Sequence, residues 1–116
     1  MTSTAKILIS AQDLPNGAAA SPSNYTSPVG GKGTWIDSAH SVNHSGSTAN
    51  VTVNVVPSGG SVAASNLAVS AQAIAAGAQY SYPELVGRFL AAGDTIEPFA
   101  SAGTAINIVI AGRELT

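Results

Sequence analysis

Two histidines stand four apart in His40-Ser41-Val42-Asn43-His44, a spacing that on a helix would bring two imidazoles to one metal ion. This stretch does not read as helical. On a strand the same spacing shares a face but separates the rings by roughly 13 Å, too far for joint ligation. Asp37 is the one carboxylate nearby and the chain has no cysteine, so no metal site is expected. Nucleophilic chemistry fares no better. There is no G-x-S-x-G elbow, and Ser3-Thr4-Ala5-Lys6 matches S-x-x-K without its companion motifs. Gly30-Gly31-Lys32-Gly33-Thr34 resembles a phosphate loop only on the surface: Gly follows Lys32 where Ser or Thr is required, and Thr26 stands where the pattern needs its first Gly.

The carboxylates are Asp13, Asp37, Glu84, Asp94, Glu97 and Glu114. Acid-base work would need two of them to converge in a cleft. Asp13 and Asp94 suit turns and Glu84 suits the positive end of a helical turn, which leaves few for catalysis. Four aromatic residues, Trp35, Tyr25, Tyr80 and Tyr82, could form a sugar-stacking platform or anchor an interface. Trp35 opens a strand candidate beside Ile36, which favours the core or interface role. No catalytic residue and no cofactor is therefore expected, and these four aromatics are the candidate interface residues.

The elements that must position these groups are β-strands. Val51, Val53 and Val55 alternate with Thr52 and Asn54, and Ile106, Ile108 and Ile110 alternate with Asn107 and Val109, the period of a half-buried strand. Further candidates are Lys6 to Ala11, Gly33 to Val42, Leu67 to Ile74 and Thr95 to Ala100. Turn residues separate them at Pro15-Asn16-Gly17, Pro57-Ser58-Gly59-Gly60, Ala76-Gly77 and Ala92-Gly93-Asp94. One short helix is predicted near residues 83–90, with Pro83 at its first position and Leu85 and Phe89 on a shared face, although Gly87 interrupts it. Residues 17–33, rich in Ala, Ser, Pro and Gly, read as a long loop or arm. The predicted architecture is all-β: one antiparallel β-sandwich, jelly-roll or Ig-like, spanning residues 1–116, with an open barrel as the alternative.

Composition narrows the function classes. The chain of 116 residues is 45% hydrophobic but only 9% charged, with a net charge of −2, against a typical charged share of about 25%. Such a chain folds, and it presents wide neutral areas suited to packing against neighbours. Its four cations, Lys6, Lys32, Arg88 and Arg113, are scattered, so neither direct nucleic-acid binding nor a membrane partner is expected. The apolar run Ile7-Leu8-Ile9 is too short for a signal segment or a membrane span, and the sequons at Asn24, Asn43 and Asn50 read as chance matches in a chain rich in Ser, Thr and Asn.

Several segments of the last two thirds carry a resemblance: Val51 to Gly60, Asn66, Tyr82-Pro83-Glu84-Leu85, Leu90 to Ile96, and Ile110 to Glu114. In that order they resemble small structural proteins of tailed bacteriophage particles, in which a strand, a P-S-G-G turn, a P-E-L segment, L-A-A-G-D and a last strand follow one another. The resemblance implies a β-sandwich subunit of the virion, made in the host bacterial cytoplasm. It would be a capsid cement or decoration protein, or else a tail, neck or fibre component. The partners implied are further copies of itself, a trimer above all, and larger virion proteins such as the major capsid protein. A receptor- or carbohydrate-binding sandwich built on Trp35 and the tyrosines is the competing expectation.

Overall fold

The computed structural model describes residues 2–18 and 24–116. Among them nine strands run in order: β1 (Ser3–Asp13), β2 (Tyr25–Thr26), β3 (Gly33–Val42), β4 (Ala49–Val56), β5 (Leu67–Ile74), β6 (Gln79–Ser81), β7 (Phe89–Leu90), β8 (Thr95–Ala100) and β9 (Asn107–Leu115). They form two sheets. Sheet A has the order β1-β9-β3-β6, with β7 also on β3, and sheet B has the order β2-β8-β4-β5. Every ladder between these strands is antiparallel.

The wiring follows one rule. Folding the chain back on itself between β4 and β5 pairs β4 with β5, β3 with β6 and β7, β2 with β8, and β1 with β9. Rolling that ribbon then adds the contacts β9·β3 and β8·β4 and shares the four pairs between two sheets. This is the jelly-roll form of the β-sandwich, with its sixth strand position split into β6 and β7.

Alternation fills the space between the sheets. Ile36, Ile108 and Ile110 point inward from sheet A, and Val51, Val53 and Ile96 from sheet B, all essentially without exposure. Each such side chain contributes roughly 1.5 to 3 kcal/mol of transfer free energy. Leu8 and Ile9 are both buried although adjacent in sequence, because the β1 register shifts by one residue between Ile7 and Ile9. A β-bulge of this kind turns two successive side chains toward one face.

The predicted helix at residues 83–90 does not form. Tyr82 O accepts from Leu85 N and Val86 N, giving a single turn, and Gly87 then takes a left-handed φ of 86°. From there Gly87 N donates to Ile36 O and Ile36 N donates to Arg88 O, so the edge of β3 captures the chain and a second turn cannot follow. Leu85 is fully buried, whereas Phe89 is 43% exposed; the two do not share a face. The expected arm also differs where it is described. Tyr25 and Ser27 are buried, and β2 pairs with β8. Lys32 N donates to Leu115 O, while Ser27 N donates to Asp94 O. Residues 24–33 are therefore a strap joining the two sheets, and residues 19–23 of the expected arm lie outside the described residues.

Candidate interaction surface

The four aromatic candidates do not converge. Tyr82 is fully buried, and its hydroxyl shares a 2.6 Å hydrogen bond with the equally buried Ser41. Tyr80 packs edge-on against it with ring centroids 4.9 Å apart, and the Tyr80 hydroxyl donates to Glu84 at 2.7 to 2.8 Å. Tyr25 lies at the other end, within the strap. Its hydroxyl donates to the Glu114 carboxylate and sits 3.0 Å from Thr34 Oγ1, which in turn is 2.8 Å from Ser27 Oγ. Lys6 completes this group with a 3.3 Å ion pair to Glu114. Because β2 belongs to sheet B and β1, β3 and β9 to sheet A, these bonds stitch the two sheets together at one end.

Burial, and then the adjacent Glu114 carboxylate, push the Tyr25 phenol well above its usual range. Tyr82 is pushed up to about 12, chiefly by burial. A raised phenol stabilises the fold below its unfolded pKa near 10. Above that the unfolded chain ionises first, and the stability drains away as pH rises toward the folded value. Stability measured by denaturant titration is therefore expected to be flat through neutral pH and to fall from about pH 10 upward. Tyr25→Phe should cost about 1 to 3 kcal/mol at neutral pH, since it leaves a buried hydroxyl and carboxylate short of a partner, and it should make the alkaline decline shallower. A variant with unchanged midpoint at pH 7 would show that the Tyr25 group does not hold the sheets.

Among the other chemistry-bearing residues, His40 and His44 have separate partners. His40 Nδ1 is 3.4 Å from Ser81 Oγ, and His44 Nε2 is 2.7 Å from Asp13 Oδ1. Among the described residues no three of His, Asp and Glu gather as ligands. Asp94 ties two loops, accepting from Ser58 N and Ala91 N at 3.1 Å each. Asn54, on the outer side of sheet B, is buried because residues 61–66 fold over it: its amide donates to Ala63 O and to Asn66 Oδ1.

Sheet A is different on its outer face. Pairing registers place Trp35 between Phe89 on β7 and Arg113 on β9, and Ala5 on β1 opposite Arg113. Trp35, Phe89 and Ile7 are exposed by 37%, 43% and 56%, and the two rings pack at 4.9 Å with a tilt of 57°. Phe89 lies over Gly33, where a Cβ would meet its ring. Arg113 is held by Asp37 through three bonds of 2.9 to 3.1 Å, so the charges on this face cancel locally. Beside it lies an open hollow of about 350 Å³ lined by Ala5, Lys6, Ile7, Asp37, Ala111 and Gly112. Of this surface sequence reasoning singled out only Trp35. Phe89 was missed because residues 83–90 were read as helix, and Gly87 was the available sign against that.

No protein-family model, no curated protein and no solved structure matches this chain.

Proposed function

We propose that this protein is a non-enzymatic structural component of a tailed-phage particle, a capsid cement or decoration protein that adds contact area between larger shell proteins such as the major capsid protein. The observation that carries the reading is the outer face of sheet A, where Ile7, Trp35 and Phe89 stand exposed on a domain with only 9% charged residues. Jelly rolls serve as viral capsid domains and as lectins, which supports the reading by analogy of fold alone. The same analogy serves a tail, neck or fibre component. A carbohydrate-binding module is the second reading, favoured by the exposed Trp35 and Phe89. Their 57° tilt gives a sugar ring no common plane to stack on, and Tyr25 and Tyr82 are buried, so it ranks below the first.

The test compares particles made with and without the protein, by cryo-electron microscopy and by heat or osmotic challenge. Particles lacking it are expected to lose density at discrete shell positions and to rupture under milder conditions. Full density and equal resistance would refute the proposal, and density missing only at the tail would reassign the protein there.

A further inference from the structure

Across the outer face of sheet A one row of paired residues runs Ala5, Arg113, Trp35, Phe89, on β1, β9, β3 and β7 in turn. The row is graded. It is small at one end, cationic in the middle and aromatic at the other. The next row supplies Ile7 opposite Ala111, which with Ala5 forms part of the 350 Å³ hollow. The ridge of Trp35 and Phe89 and the hollow thus lie on the same face, on opposite sides of the Arg113–Asp37 pair.

We infer that this face pairs two copies of the chain back to back about a two-fold axis parallel to the strands, passing between β9 and β3. Such a rotation reverses the row. Phe89 of the second copy comes to lie over Ala5, and Trp35 of the second copy over Arg113. The first contact puts a ring over the small residue that leaves room for it. The second puts an indole face on a guanidinium that Asp37 already holds flat by bonds to Nε and Nη2, the arrangement in which Arg stacks best on an aromatic ring. Identical faces can meet without repulsion because the ion pair leaves no net charge between its partners. An isologous interface demands that one patch carry both halves of every contact, and this row does so. That is the reason to choose a second copy over an unrelated protein. Sheet B offers no equivalent, since residues 61–66 fold over Asn54 on its outer side. Two outer faces stacked in this way would leave the usual spacing of about 10 Å for one interdigitated layer of side chains.

The inference competes with the virion reading for the same face: a dimer closed on it would meet shell proteins through its remaining surfaces, and it favours a two-fold pair over the trimer that the phage resemblance implies. Trp35 is the only tryptophan, so its emission reports the interface directly. Sedimentation from micromolar to millimolar concentration is expected to show a monomer–dimer equilibrium, with Trp35 emission moving to the blue in step with dimer formation. Ala5→Arg, at an exposed edge position, should leave the melting temperature near that of the parent and weaken the dimer by about 100-fold or more, because a long side chain there fills the room that the Phe89 ring of the second copy needs. Phe99→Ser, on the outer face of sheet B, should leave dimerisation unchanged. A monomer at millimolar concentration, a trimer, a dimer that survives Ala5→Arg, or one lost in Phe99→Ser would each overturn the inference. So would glycans that quench Trp35 in a chain that stays monomeric. The particle comparison can fail while the dimer stands, and the reverse.

Discussion

Asn43→Ala is expected to destabilise the fold by about 2 to 4 kcal/mol, a fall in melting temperature of roughly 10 to 15 °C for a domain of this size. Asn43 is fully buried at the end of β3. Its amide nitrogen donates to Ser47 O at 2.9 Å and Ile74 O at 2.8 Å, and its amide oxygen accepts from Ser45 N and Ser45 Oγ at 3.0 and 2.7 Å. The backbone is used as fully, with Asn43 N donating to Ala78 O and Asn43 O accepting from Gly77 N. One side chain therefore satisfies the corner where β3, β4 and β5 come together, and Ala would leave the Ile74 carbonyl without its buried partner and loosen the part-buried bonds to Ser47 O and Ser45 N. Asn50→Ala is the control: Asn50 occupies the same N-x-S/T pattern, is only half-buried, and its side chain makes no hydrogen bond among the described residues. It should stay within about 0.5 kcal/mol of the parent. Equal effects at the two positions, measured by urea denaturation, would refute the assignment.

Gly112→Ala should be comparably severe, about 3 kcal/mol or more, for a steric reason. A Cβ on Gly112 would stand 2.1 Å from the Trp35 carbonyl oxygen and 3.0 Å from Leu8 Cδ1. The obstacle is backbone rather than the tip of a flexible side chain. It sits where β3 slips register against β9 between Ile36 and Ser38, so relief means moving a central strand, and overpacking that the backbone cannot relax is costly. Gly46→Ala, with nothing within 4 Å and no left-handed φ, should be close to neutral. A Gly112→Ala protein with parental stability would mean that β3 and β9 can part at this point. Trp35 emission in the variant would then report whether the outer face survives.

The longer strands, of six or more residues, were legible in the sequence. Gly33–Val42, Leu67–Ile74 and Thr95–Ala100 stand where the bounding turn residues placed them, and the alternating valines lie in β4 and Ile108 and Ile110 in β9. Two- and three-residue strands are too short to carry a period, so β2 and β7 went unread. The apolar residues of 82–90 fitted a helical face because Leu85 and Phe89 are four apart, yet capture by β3 decides that segment, and capture is a long-range event that local spacing does not encode. Asn43 was likewise read only as part of a sequon, since nothing in a single sequence says that a carbonyl of β5 will meet the polar groups of the Ser45–Ser47 turn on one buried amide. For the surface, Trp35 was legible as an anchor. The company it keeps, Phe89 and Arg113, depends on strand register.

The folded-ribbon wiring also bears on how the chain reaches its fold. The outermost pair joins Ser3 to Leu115, so forming it first would close a loop of nearly the whole chain, whereas the β4–β5 hairpin closes about ten residues. Loop-closure entropy grows as the logarithm of length, which makes the long closure costlier by about 2 kcal/mol before any side chain is buried. Zipping outward from the hinge, each new pair encloses only the few residues between itself and the last. The route of least entropy therefore begins in the middle of the sequence and leaves β1, with its exposed edge and half of the hollow, as the last piece to be laid down.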